Sequence, residues 1–177
     1  MGKTRKHKGI ILLFFFLISL YLVEEGIAGS SIVADYNNGY GTFDMKQYDV
    51  SIVRNVLSGM QNEGFMVYKY YYFFDFIFVV AFGLFQIYLS LAVYKWCTKF
   101  QMQMIICAIP VLRGIFDIVE NILLFNTLCT FPNINASIIR IASICTKCKI
   151  GMIKLWIVEL IVGLLIGIIN YYKNKRK

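Results

Sequence analysis

The sequence predicts an all-α, polytopic membrane protein: a four-transmembrane-helix bundle that forms a single domain over residues 1–177. Hydrophobic residues make up 59% of the chain and the mean hydropathy is +0.66. This is more apolar surface than one soluble core of this size can bury. Four apolar stretches reach or approach the roughly 20 residues that cross the hydrocarbon region of a bilayer. Basic clusters flank these stretches, as is typical of the cytoplasmic ends of membrane helices.

The four predicted spans cover about residues 9–28, 67–94, 102–128 and 150–172. Because residues 136–149 contain few helix breakers, we expect the last helix to start before the membrane, and it could run unbroken from Ala136 into the fourth span. The first has the shortest apolar run and follows a basic segment, so an uncleaved helix and a secretory signal peptide both fit its pattern. We favour the uncleaved helix, because the glutamates that end the run fit poorly just before a cleavage site. The second span has aromatic residues at both ends, which is typical of side chains at two membrane interfaces.

The longest polar region, about residues 29–66, separates the first two spans and contains a helical pattern. From Asp44 or Asp49, apolar residues recur at helical spacing and stop near Gly59 or Gly64. The sequence therefore predicts a short amphipathic extracytoplasmic helix. We expect it to lie on the outer membrane surface, as a connector that covers the end of the bundle.

The basic residues also predict an orientation. They precede the first span, separate the second from the third, and follow the fourth. The positive-inside rule then places both termini in the cytoplasm, and Arg140, Lys147 and Lys149 are the exception on the outer side. We expect a plasma membrane location in a bacterium or an endomembrane location in a eukaryote. The net charge of +8 lies mostly beside the membrane, so it does not predict nucleic-acid binding.

The third span carries the strongest indication of a functional site. Arg113, Asp117, Glu120 and Asn121 fall within roughly 100° of one helical face. Ionisable groups inside a membrane are costly unless they are paired or face water, so they indicate a site. The predicted polar centre comprises Asp75, Arg113, Asp117, Glu120, Asn121, Lys154 and Glu159.

Acidic residues of three spans are expected at one depth. Counted from the outer ends of the predicted spans, Asp75, Glu120 and Glu159 each lie about 12 Å deep, and Lys154 lies nearer the surface. The centre would then hold four carboxyl groups against two bases. At least one carboxyl group must be protonated, bound to a cation or in contact with water.

Several functions are consistent with this centre. The protein could bind a lipid or small-molecule ligand through it, or a membrane partner, or a second copy of itself. It could instead be a small membrane enzyme that uses two carboxyl groups as general base and general acid on a lipid-like substrate. In a third interpretation the polar groups only hold the helices in register.

Cysteine chemistry is a separate alternative. Cys145 and Cys148 form a CxxC motif with basic neighbours, which lower a thiol pKa. Membrane thiol oxidoreductases of the vitamin K epoxide reductase type also place a CxxC near the membrane surface, but they need a second pair in the outer loop. Residues 29–66 contain no cysteine, which disfavours this function. The only histidine, His7, lies in the basic N-terminal tail, so we predict no metal site and no cofactor.

Three short motifs carry a family resemblance: the segment Gly64 to Tyr68, Asp75, and the D-x-x-E-N pattern from Asp117 to Asn121. Together with an N-terminal anchor and a helix in the outer loop, they resemble a group of four-span integral membrane proteins that have no established activity. The resemblance spans most of the chain. It implies the same four-span fold and assigns no reaction.

Overall fold

The computed structural model describes residues 2–95 and 100–175. These residues form helices and connecting turns, with no β-strand among them. The six helices are α1 (Gly2–Glu25), α2 (Ser30–Asp35), α3 (Val50–Ser58), α4 (Asn62–Val93), α5 (Phe100–Thr130) and α6 (Ala136–Lys175). Four of them, α1, α4, α5 and α6, are long and apolar enough to cross a membrane. The predicted all-α bundle of four spans is therefore confirmed.

All four long helices contain more residues than the predicted spans. Helices α4 and α5 contain 32 and 31 residues, and α6 contains 40. The length of α6 is therefore about 60 Å, twice the hydrocarbon thickness of roughly 30 Å. Helix α6 begins at Ala136, the residue from which the sequence allowed an unbroken helix, and so extends 14 residues before the predicted span. The reason is local, because no glycine or proline interrupts the chain between Ala136 and Ile150.

Residues 26–61 cover one end of the bundle, which we call the capped end. The predicted amphipathic helix is α3, and the Asp49 side chain caps it by accepting a hydrogen bond from the Ile52 backbone N–H at 2.8 Å. Val53 and Leu57 on its apolar face are buried in the bundle core. The short helix α2, six residues long, was not predicted.

The long helices pack in chain order. Helix α1 lies against α4, α4 against α5, and α5 against α6. Across the described residues, α1 and α6 share no extensive contact, and a gap between them remains open near the capped end. Large apolar side chains cover the outside of the bundle, as expected of a surface that faces lipid tails.

Candidate functional site

A buried lysine lies at the centre of the charged groups near the capped end. Lys149 is 1% exposed, and its Nζ lies 2.8 Å from an Asp117 oxygen and 2.7 Å from a Glu120 oxygen. It also forms an ion pair with Asp44, which precedes α3 in the chain. One ammonium group therefore joins α6 to α5 and to the loop that covers them. Buried ion pairs of this kind need several partners to offset the loss of hydration.

Arg113 lies one helical turn from Asp117 on α5 and is also buried. Its guanidinium forms an ion pair with Asp117, and its Cζ lies 4.4 Å from the centroid of the Phe82 ring, a cation–π distance. Within the described part of the chain, Arg113 Nε has no hydrogen-bond partner. Asp117 thus forms ion pairs with two cations, Arg113 one turn earlier on α5 and Lys149 on α6.

Asp75 connects α4 to the same group of residues. It is 1% exposed, and its Oδ2 accepts a hydrogen bond of 2.6 Å from the Asn121 side-chain amide. Together these residues form what we call the Lys149 cluster: Asp44, Asp75, Arg113, Asp117, Glu120, Asn121 and Lys149.

A hydroxyl pair covers the Lys149 cluster on its α6 side. Thr146 Oγ1 donates to Glu120 Oε1 at 2.6 Å, and the Tyr48 hydroxyl lies 3.3 Å from the same oxygen. Burial, and then the negative charge of Glu120, raise the pKa of the Tyr48 phenol, so it stays a neutral donor at physiological pH. The loop of residues 40–49, which we call the capping loop, thus contributes the Asp44 carboxylate to the cluster and places the Tyr48 hydroxyl beside it.

The structure brings together five of the seven residues that the sequence placed in the polar centre: Asp75, Arg113, Asp117, Glu120 and Asn121. Lys154 and Glu159 lie elsewhere. Lys154 is exposed and lines a different cavity. Glu159 is near the other end of the bundle, where its backbone carbonyl accepts a hydrogen bond from the Tyr94 hydroxyl.

The misplacement of Glu159 has one cause, the outer end assumed for the fourth span. Depth was counted from residue 150, but α6 continues back to Ala136. Lys149 therefore lies level with Glu120, and Glu159 lies ten residues or about 15 Å further along α6. The expected common depth of Asp75, Glu120 and Glu159 is therefore wrong for Glu159.

Sequence reasoning missed Asp44, Tyr48, Thr146 and Lys149. A signal for the α6 residues does exist in the sequence. Ile139, Ala142, Thr146 and Lys149 follow helical spacing and are all buried, which continues the inward face of α6 through Lys149. The loop residues carry no comparable pattern, since their position depends on how residues 40–49 fold over the bundle.

A cavity of about 170 Å³ opens beside the cluster, in the gap between α1 and α6. We call it the α1–α6 cavity. Its polar wall consists of Glu24, Asp44, Arg113, Asp117 and Lys149. Its apolar wall includes Leu20, Val23, Phe78, Phe82 and Ile153. The cavity therefore places charged groups of both signs against an apolar surface, which is typical of a small-molecule site.

Carboxyl groups outnumber cations around this cavity. Three carboxyl groups line it, those of Glu24, Asp44 and Asp117, against the two buried cations Arg113 and Lys149, and Asp75 and Glu120 of the cluster bring the carboxyl groups to five. Lys46 lies close enough to Asp44 and Glu24 to interact electrostatically with both, but acids remain in excess when it is included. The surplus favours protonation of a carboxyl group or a bound cation.

Three carboxylates of the cluster could hold a metal ion by distance alone. Single oxygens of Asp44, Asp117 and Glu120 lie within 4.8 Å of one another. However, the Lys149 ammonium already contacts all three residues. The geometry is therefore that of an ammonium site, and a metal ion would have to displace the lysine.

The CxxC cysteines lie next to the cluster on α6. Cys145 is buried and Cys148 is half-buried, and both are free thiols. Cys107 and Cys129, the other cysteines in the described ranges 2–95 and 100–175, are also free. These thiols provide no disulfide in the part of the chain that the structure describes.

No protein-family model, curated protein sequence or solved structure matches the chain.

Proposed function

We propose that this integral membrane protein binds a small ligand that carries an ammonium group, in the α1–α6 cavity. The observation that carries the proposal is the surplus of carboxyl groups around an open space inside an apolar bundle. In these apolar surroundings, neutralising the surplus negative charge with a bound cation costs less free energy than hydrating it.

Lys149 supports this ligand chemistry. Its ammonium group is held by three carboxylates at the edge of the same cavity. The same cavity also exposes Glu24, whose side chain forms no ion pair within the described residues. A second ammonium group could bind there, with an alkyl chain against Leu20 and Val23.

The geometry gives less support to an enzyme that acts on a lipid-like substrate. A general base needs a carboxylate oxygen free to face the substrate. Asp117 is held by Arg113 and Lys149, and Glu120 is held by Lys149 and Thr146. These acids are better placed to hold a cation than to exchange protons.

The test uses probes that differ only in charge. The thermal stability of the purified protein in an uncharged detergent would be measured with n-butylamine, butyltrimethylammonium, butyrate and butanol. We expect the two cations to raise the melting temperature and the other two compounds to leave it unchanged. Equal responses to butylamine and butanol would contradict the proposal.

Two neighbouring glutamates provide a matched pair of variants. Glu24 lines the cavity, whereas Glu25 is exposed and does not. We expect Glu24→Gln to weaken the response to butylamine and Glu25→Gln to preserve it. If both variants respond like the wild type, the ligand does not use this cavity, and the Lys149 cluster serves to hold the helices in register.

We also propose that the capped end faces away from the cytoplasm. Lys8, Lys95 and Lys173 all lie at the opposite end, beside the termini of the long helices, in keeping with the positive-inside rule. Cys129 is exposed near the capped end. A membrane-impermeant maleimide should label it on intact cells, with Cys129→Ser as the control. Labelling that requires lysis of the cells would reverse the orientation.

A further inference from the structure

A second cavity, of about 220 Å³, lies on the other side of the capping loop, between residues 46–47 and α6. Three lysines line it, Lys46, Lys147 and Lys154, and we call it the three-lysine pocket. Its lining, as far as the structure describes the chain, contains no carboxylate. The pocket is therefore a site of concentrated positive charge, in contrast to the α1–α6 cavity.

The three lysines approach the pocket from two sides. Lys147 and Lys154 are seven residues apart on α6, which places them on one face of the helix, and both are exposed. Lys46 comes from the loop opposite. Its Nζ donates to the Tyr40 carbonyl and lies 4.4 Å from the Tyr40 ring centroid. Since an ammonium group has three N–H donors, Lys46 is held in position with donors to spare.

Two hydroxyl groups on the α6 side of the pocket donate hydrogen bonds to other parts of the protein. Ser143 Oγ donates to the Tyr48 carbonyl at 2.8 Å, and Thr146 Oγ1 donates to Glu120. The protons of these hydroxyl groups are therefore already used in hydrogen bonds within the protein. The lysines and the exposed Gln47 amide are therefore the groups left to contact a ligand.

Gly151 lines the pocket and has no side chain to fill it. A Cβ atom added there would meet no atom within 4 Å, so neither packing nor backbone conformation requires a glycine in this turn of α6. Glycine in a helix interior lowers helix stability relative to alanine. However, the absence of a side chain at Gly151 lets a ligand approach the helix backbone between Lys147 and Lys154.

The pocket lies at the level expected for lipid headgroups. Tyr171 and Tyr172 are exposed and precede the basic C-terminal residues of α6, as residues at a membrane interface do. Lys154 is 18 residues before Tyr172. That separation is about 27 Å along a helix, close to one hydrocarbon thickness.

We propose that the three-lysine pocket binds a phosphate group, supplied by an anionic lipid headgroup or by a soluble phosphate compound. Lysine is a common phosphate ligand that acts as a point charge, and three of them surround a space that is open to the surface. The proposal does not rest on the proposed ammonium site, because the two cavities share no lining residue and only the α1–α6 cavity is lined by carboxylates.

The experiment measures thermal stability in an uncharged detergent with three probes: dihexanoyl phosphatidic acid, inorganic phosphate and dihexanoyl phosphatidylcholine. We expect phosphatidic acid to raise the melting temperature and the zwitterionic lipid not to. A shift with inorganic phosphate as well would identify a site for free phosphate, and a shift with the lipid alone would identify a headgroup site.

Variants separate a specific pocket from general attraction between charges. Gly151→Leu should fill the pocket without a clash, and Gly83→Leu is its control, because that helical glycine is equally open. Lys147→Gln and Lys154→Gln should each weaken binding about fivefold, the effect of one lysine near a charged surface. Arg140→Gln is the charge control, since Arg140 is exposed on the same helix and does not line the pocket.

The proposal is supported if Gly151→Leu and the two lysine variants weaken the phosphatidic acid response while both controls preserve it. It is overturned if no phosphate-bearing probe shifts the wild type, or if Arg140→Gln weakens binding as much as Lys147→Gln. A Gly151→Leu protein that melts like the wild type but still binds phosphatidic acid with equal affinity would also overturn it.

Discussion

Replacing Lys149 with methionine tests whether the charged cluster depends on one buried cation. Methionine keeps the length and most of the apolar volume of lysine but removes the ammonium group that contacts Asp44, Asp117 and Glu120. Arg113 would remain as a partner of Asp117. Glu120 would keep its hydrogen bond from Thr146 and lose its only cation among the described residues.

The expected loss of stability is large. Removing one partner from a buried ion pair costs about 3–5 kcal/mol, because the remaining charge is left in apolar surroundings. Lys149 and Glu120 are 1% and 0% exposed, so solvent screening offsets little of this cost. For a chain of this size, the loss corresponds to a fall of roughly 6–20 °C in melting temperature.

The assay is unfolding of the purified protein in detergent micelles at pH 7 and again at pH 5. Lys147→Met is the matched control, because Lys147 is exposed two residues away on the same helix, and we expect it to change stability by less than about 0.5 kcal/mol. Adding Glu120→Gln to Lys149→Met should recover part of the loss. Acidic pH should also recover part, since protonation removes the uncompensated charges. A Lys149→Met protein that is as stable as Lys147→Met would refute the argument.

Three further predictions concern the capped end. Gly64→Ala should cost about 1–3 kcal/mol, because its Cβ would lie 2.5 Å from Tyr36 Cβ, and Gly83→Ala, which meets no atom within 4 Å, should cost nothing in the same unfolding assay. Asp49 caps α3 with a pKa lowered by its hydrogen bonds to Ser51 and Ile52, so its stabilising effect should be present above the unfolded pKa of 3.8 and lost as pH falls through the lower folded value. Asp49→Ala should therefore differ from the wild type at pH 7, and the difference should diminish as pH falls below 3.8. Tyr48→Phe should cost about 1 kcal/mol by chemical denaturation, the usual worth of one hydrogen bond.

The sequence placed the α5 residues of the cluster on one helical face because that geometry is local. Arg113, Asp117, Glu120 and Asn121 lie on one face of a helix whatever surrounds it. It failed for Glu159 because the depth of a residue depends on how its helix is aligned with its neighbours. It failed for Lys154 because that residue is exposed on a different face of α6 from the buried Lys149. Depth was counted from residue 150, where the apolar span begins, although the buried residues from Ile139 to Lys149 continue the inward face of the helix before it.

The loop contributions show a different limit. Asp44 and Lys149 are 105 residues apart in the chain, and Asp117 and Lys149 are 32 apart. No local pattern links residues at such separations, since a one-turn shift of α6 against α5 would pair Glu120 with another side chain.

The sequence by itself determined the all-α class, the four long apolar helices, the capping helix α3 and the polar face of α5. Each is a property of consecutive residues and of their helical or apolar periodicity. Only the tertiary structure decided that Lys149 joins Asp44, Asp117 and Glu120, that Glu159 lies apart from them, and that a cavity remains between α1 and α6. The physical reason is that helix register and loop placement are set by side-chain packing between distant segments, which no single segment encodes.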